Sequence, residues 1–313
     1  MGAEDIIREV MGSDWLLDIN DNFKFIETQY PVKNYFVDNQ IGTSGDGSLW
    51  KNAFSEPSEA ITAWEAWRLL QDNVVGRGRI YIRGTNDAYA ALSALPSYCD
   101  MIGIGSDPRG HGAGIARIGL DTGVAGGIIV AGTARGLNMA NLQLNAGNGS
   151  YPFKITNIFR SRFFNVAFGT SGVLTGAAPA VGFEVDSAGG LVIDQCHWIN
   201  NSSKLYGPVI GMNITGTHFN NCLVKDSFIT GVDFGVVVAA GCVFGYNSVF
   251  RDNFIGEAGQ VCAVGVDDNA TDGWIQYLNN YVAATAQGQL ANNGTMRWIA
   301  NKAANGFSTV AAE

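Results

Sequence analysis

From residue 99 onward the chain sets its apolar residues two apart in short runs and breaks each run with Gly, Asn, Ser or Thr. A spacing of two is the period of an extended strand, whose side chains alternate between opposite faces. One unit recurs: an apolar pair, a polar residue, then a second apolar pair. It reads Leu137, Met139, Asn141, Leu142, Leu144, then Phe163, Asn165, Val166, Phe168, then Leu191, Ile193, Gln195, Cys196, Trp198. Two more copies are Cys222, Val224, Asp226, Ser227, Ile229 and Ile275, Tyr277, Asn279, Asn280, Val282. A further copy lies around Asn247, where Gly245 takes an apolar place. A second strand precedes each unit, anchored at Val130, Ile155, Val185, Ile214, Val238 and Val264. The anchors fall about 24 to 30 residues apart, one coil of a solenoid. The pattern predicts an all-β, single-stranded parallel β-helix in which inward residues stack from coil to coil. Asn141, Asn165, Gln195, Asp226 and Asn279 would mark a bend, line up along the axis, and satisfy turn amides by bonding to one another.

The first third of the chain carries a different period. Residues 3–11 read as a short helix stopped by Gly12, and Ser13 caps a second helix. In that second helix Trp15, Ile19, Asn22 and Ile26 form a heptad-like seam, the expected oligomerisation site, with Asn22 setting register. The other reading packs the same apolar side on the main domain. Residues 1–33 are therefore expected to be a helical docking and oligomerisation segment, and 34–285 the β-helix. A capping helix is expected at about 56–72, with Ser55 or Ser58 as N-cap and Ala60, Trp64, Trp67 and Leu70 along one face. Residues 286–313 form a C-terminal extension, where MRWIANKA supplies a strand over the open end, since bare strand edges need a cover.

Composition narrows the function. The chain holds 41 Gly against 7 Pro, is only 15% charged, and carries a net charge of -9. Gly and Asn supply the positive φ of tight turns. An acidic surface does not suit a nucleic-acid backbone. No apolar run reaches membrane-spanning length, so no membrane insertion is expected. The opening MGAEDIIREV is charged where a signal peptide needs an apolar core, which points to folding in a reducing cytoplasm. Five widely spread cysteines without a CxxC predict neither disulfides nor a zinc site, and no cofactor is expected. In LVIDQCHWINN, Asp194, Cys196 and His197 look like parts of a nucleophilic site. Adjacent strand residues face opposite ways, however, so Cys196 is expected inside, His197 outside and Trp198 inside. Cys222 and Cys262 are expected in the same core.

Between residues 34 and 115, Val37, Asp38, Gly42, Gly45, Trp50, Ala53 and Phe54 are followed by Gly78, Ile80, Tyr81, Ile82 and Gly84. This order resembles the opening of the pectate-lyase-like, right-handed parallel β-helix superfamily, in which a helix caps the coil before the first rung. The resemblance covers roughly residues 34–285 and implies fold more than function. Asn20, Asn22, Phe23 and Ile26 resemble a helix found near the N-terminus of bacteriophage tail and fibre proteins. That resemblance implies a homotrimer assembled in the host cytoplasm and docked to other virion proteins through the N-terminal segment. It would be a tail-spike-like fibre or a capsid decoration, with cell-surface polysaccharide as a possible partner.

An enzyme on this fold would be a polysaccharide lyase or glycoside hydrolase, and hydrolysis needs two carboxylates about 5 to 9.5 Å apart. Glu184 and Asp186, flanking Val185, are the candidate pair. Asp194, Asp226, Asp233 and Asp252 are further outward or turn carboxylates, with Arg160 and Arg162 on the preceding rung. Asp267, Asp268 and Asp272 lack the alternating spacing of a Ca²⁺ loop and read as a polar loop. Residues 103–114 are Gly-rich but match neither a dinucleotide fingerprint nor a P-loop. His111 and His218 are isolated, so no metal site is expected. The leading expectation is a non-enzymatic virion structural or attachment protein. The alternatives are a polysaccharide-degrading enzyme and a glycan-binding module using Tyr151, Tyr206 and Tyr246.

Overall fold

The computed structural model describes residues 32–70, 76–110, 113–119, 127–146, 151–169, 180–199, 208–230, 233–242, 246–256, 262–270, 275–290, 297–303, 306–307 and 310–311. The seam residues Trp15, Ile19, Asn22 and Ile26 lie outside the described residues. The described chain is all-β and winds into stacked parallel coils, a β-solenoid consistent with a right-handed β-helix. A ten-stranded front sheet begins with Val32–Val37 and Arg77–Arg83 and ends with Ile275–Leu278 and Trp298–Ile299. A second sheet of sixteen strands has two limbs. The short limb runs from Arg117–Ile118 to Phe254–Gly256, and the long limb from Ile128–Arg135 to Cys262–Asp268. Both limbs meet on Tyr281–Leu290. Among the described residues the named strands pair in parallel, except Lys302–Ala303 against Gly306–Phe307.

Alternation drives one face of every front strand inward. Tyr35, Ile80, Met101, Met139, Phe163, Ile193, Val224, Phe250, Tyr277 and Trp298 are successive register partners, all buried, and form one internal column. The short limb adds Ile118, Leu144, Phe168, Trp198, Ile229, Ile255 and Val282, also buried. The long limb adds Val130, Ile155, Val185, Ile214 and Val238 in one register column. The next seat in that column belongs to Asp268 and not to Val264, which pairs with Phe234 and is half-buried. The sequence-based anchor was misplaced because the alternating pattern gives no reason to turn a carboxylate inward.

From the front strand Asn138–Ala140 onward, each coil bends through a left-handed residue. Asn141, Asn165, Gln195, Asp226, Asp252, Asn279 and Ala300 share φ values of 49–55° at the corner after the front strand. Asn and Asp tolerate this region because their short polar side chains bond locally. Asn247 belongs to the other corner, with Asn221, Arg160 and Tyr98, so Asp252 continues the Asn279 column in its place. Corner side chains do bond along the axis, Asn165 Nδ2 to Asn141 Oδ1 at 3.0 Å and Asn279 Nδ2 to Asp252 Oδ1 at 2.6 Å. The expected buried ladder stands one residue later. Ser227 N donates to Asn253 Oδ1 at 3.0 Å, Asn253 N to Asn280 Oδ1 at 3.0 Å, and Asn280 N to Asn301 Oδ1 at 2.8 Å. The corner residue's positive φ swings its own side chain outward and hands the inward position to its successor.

The helix Pro57–Leu69 covers the first coils. Glu56, not Ser55 or Ser58, occupies the N-cap, in a reciprocal capping box with Glu59. The Ser55 hydroxyl instead donates to Glu59 Oε2 at 3.0 Å. Ala60, Ile61 and Trp64 are buried, whereas Leu70 points to solvent because the helix ends before completing that turn. Trp64 lies so close over Gly78 that a Cβ there would stand 2.7 Å from the indole, and its Nε1 donates to Ser97 O at 2.9 Å.

Candidate functional site

The outward side of the long limb carries the predicted carboxylate pair. Glu184 accepts from Lys154 Nζ at 2.6 Å and from Asn213 Nδ2 at 3.0 Å, residues of the coils before and after it. Its hydrogen bond to Glu184 is the main reason the Lys154 ammonium is held above its usual pKa. Asp186 accepts from the Thr215 hydroxyl of the following coil, across a backbone irregularity between Val185 and Ser187. The two carboxylates therefore flank Val185 on the outer side, and each is engaged with a separate set of neighbours.

Asp194 shows the same construction on the front sheet. Its nearly buried carboxylate meets Arg162 Nη2 at 2.7 Å on one coil and Lys225 Nζ at 3.1 Å on the next. Lys225 also meets Asp226 at 3.1 Å, and these carboxylate bonds, that to Asp226 first, raise its pKa. Asp252 serves as the corner acceptor already described, Asp233 is exposed, and Arg160 is itself a corner residue with φ 50°.

Cys196 and His197 are separated by the strand, as alternation requires. Burial pushes the Cys196 thiol up to about 12, and its Sγ faces Asp194 O at 3.5 Å inside the solenoid. A thiol held protonated is a poor nucleophile. Trp198 is fully buried beside it. The His197 ring lies outside, where burial, ahead of the Arg109 charge, lowers its pKa. Cys222 and Cys262 are buried, as are Cys99 and Cys242.

The polar-loop reading of Asp268 is corrected. Its side chain lies inside the last coils, accepting from Arg297 Nη1 at 3.2 Å, Tyr277 Oη at 3.1 Å and Ala270 N at 3.0 Å. Burial holds its pKa above the usual carboxylate value, with Arg297 acting in the opposite direction. Asp272, His111 and Tyr206 lie outside the described residues. Tyr151 is half-buried under the Lys154 ammonium, 4.4 Å from its ring centre, and Tyr246 is exposed. Among the described residues no group of three potential metal-ligating side chains comes together.

Two of the recesses formed by the described residues are walled mostly by apolar groups and lie outside the sequence reading. One, of about 580 Å³, is lined by Trp50, Arg83, Ile104 and Ser106 over Gly84, Gly105 and Gly114. Its Arg83 pairs with buried Asp38 at 2.7 Å. The glycines pack backbone on backbone, leaving a bare floor: a Cβ on Gly84 would stand 1.9 Å from Gly114 O. The second, of about 420 Å³, sits on the front sheet where Ala140 leaves a notch between Ile102 and Phe164, beside Asp100, Asn138 and Arg162. The sequence signal for it was Ala140, the one small residue among bulky outward neighbours. Both offer apolar walls with a few polar groups.

One more outward feature runs along the short limb. His197, Phe228, Phe254 and Tyr281 are register partners whose rings stack at 5.2, 5.2 and 5.1 Å between centres. Each stands two residues after a left-handed corner, a spacing visible in the sequence. Comparison with protein-family models, with curated proteins and with solved structures gives no match to this chain.

Proposed function

We propose that the protein is a self-associating structural and attachment component of a bacteriophage virion, a homotrimer that carries a β-solenoid and cuts nothing. One observation carries the non-catalytic part of this reading: the outward carboxylates serve as struts between coils. Glu184 is held by Lys154 and Asn213, and Asp194 by Arg162 and Lys225. A general acid must keep its proton near neutral pH, and its partner must reach either a water or the sugar carbon. Glu184 and Asp194 are each already bonded to side chains of the coils before and after, so their oxygens are engaged in joining coils rather than open to a substrate. The heptad-like seam ahead of the solenoid and its likeness to phage fibre segments support the virion reading. The recess at Trp50 and Ile104 supports contact with a saccharide ring without turnover.

Light scattering on the full chain at micromolar concentration tests this. The expected mass is about three times that of the 33.2 kDa chain, and a mass of one chain overturns the reading. A panel of acidic and neutral glycans should release neither reducing ends nor unsaturated products. Turnover that disappears in Glu184→Gln or Asp186→Asn would establish the enzyme alternative.

A further inference from the structure

We infer that the aromatic ladder His197–Phe228–Phe254–Tyr281 is the surface through which copies of this chain pack side by side along their solenoid axes. The inference rests on the self-association reading above and assigns it a face.

The ladder's column does not start bare. Its earlier members are Arg117, Gln143 and Ala167. The chain's own loop covers that stretch: Gln143 Nε2 donates to Pro108 O at 2.8 Å and to Gly110 O at 3.2 Å, and Gln143 is fully buried. Asp107 and Arg109 of that loop lie near enough to His197 to act on its charge. Beyond His197 the rings reach the surface among the described residues, with Phe228 48% and Tyr281 37% exposed and Phe254 between them half-buried. Aromatic side chains lined up along one sheet face form the kind of contiguous apolar patch that marks a contact surface.

Ring geometry selects the occupant. Neighbouring planes differ by only 28°, 17° and 21°, so the rings spend their faces on each other and present their edges to solvent. A sugar ring or a nucleobase needs a face to stack on. An edge-on stripe fits a long, straight partner carrying apolar groups at the same axial repeat of about 5 Å, the strand spacing of a stacked solenoid. A second copy of this chain has that repeat. The route of the chain agrees: 31 residues, including the seam, precede Val32, where the first front strand begins. Copies joined in parallel by that segment would leave their solenoids alongside one another with equal coils at equal height. Edge-to-face contacts between ladders then become available. Two heptads alone make a marginal coiled coil, so the ladder is expected to contribute much of the association.

The experiment uses the full chain with both ladder positions charged, Phe228→Arg/Tyr281→Arg, and a control at an equally exposed front-sheet residue, Ile299→Arg. Wild type and control should weigh three chains by light scattering at micromolar concentration. The double variant should fall to the 33.2 kDa of one chain with an unchanged far-ultraviolet circular dichroism spectrum. A folded double variant that stays trimeric overturns the assignment and leaves self-association standing. A monomeric wild type overturns both. If the double variant does not fold, Phe228→Cys with a bifunctional maleimide decides, because the five native cysteines are buried. Covalently linked copies support the ladder contact, and their absence from a trimeric sample refutes it.

Discussion

The Asn280 side chain makes four hydrogen bonds inside the solenoid. Its Oδ1 accepts from Asn253 N and Asn253 Nδ2, both at 3.0 Å. Its Nδ2 donates to Phe250 O at 3.0 Å and to Asn301 Oδ1 at 2.9 Å. A buried donor left without a partner costs about 1–3 kcal/mol. Asn280→Leu strands the Asn253 amide and should destabilise the protein by about 3 kcal/mol, read as a lower urea midpoint at unchanged slope. Asn279→Gly, one residue earlier, keeps the left-handed corner and should stay within about 1 kcal/mol of wild type. This pair also shows why one part of the interior was legible and another was not. The column through Met139, Ile193, Val224 and Tyr277 follows from alternation alone. The polar ladder does not, because in Asn279–Asn280 and Asp252–Asn253 two polar residues stand together, and only backbone φ decides which one turns in. Asp268 was misread for a similar reason. A carboxylate among Asp and Asn residues looks solvated until Arg297, far along the chain, is placed beside it.

The helix Pro57–Leu69 and the strand Arg77–Arg83 meet where Trp64 lies flat on Gly78. Gly78→Ala places a methyl 2.7 Å from the indole and must push the helix off the first coils. Overpacking of this kind costs about 1–3 kcal/mol. Gly78→Ala should therefore lower the thermal midpoint and raise hydrogen exchange across residues 57–69 before the later coils respond, since solenoid coils contact mainly their neighbours. The helix itself was legible from its spacing of Ala60 and Trp64. Its start was not, because Ser55 and Ser58 carry the usual capping side chain while Pro57 and the Glu56–Glu59 pair set the true boundary. The outward ladder was open to reading from the corner-plus-two spacing, yet attention to inward positions passes over it.

At the scale of the whole molecule the solenoid changes character along its axis. The middle coils hold an aromatic cluster of Phe153, Phe163, Phe168, Phe183 and Trp198. The last coils hold Asp268 against Arg297 in the column that Val130 to Val238 fill elsewhere. Asp268→Val deprives a buried guanidinium of its carboxylate and should cost about 3–5 kcal/mol, whereas Asp268→Val/Arg297→Met should recover most of that loss. Calorimetry on the two variants checks it. The backbone amides that bond inward side chains at the corners also share a direction. Leu137 N reaches Ser161 Oγ, Cys196 N reaches Ser227 Oγ, Cys222 N reaches Ser248 Oγ, and the asparagine series continues to Asn301. Each of these backbone amides waits for an acceptor that the ribosome adds later. A nascent chain therefore always carries one incomplete winding at its growing edge, and a chain stalled before Asn301 would expose that unmet amide to any neighbour able to answer it.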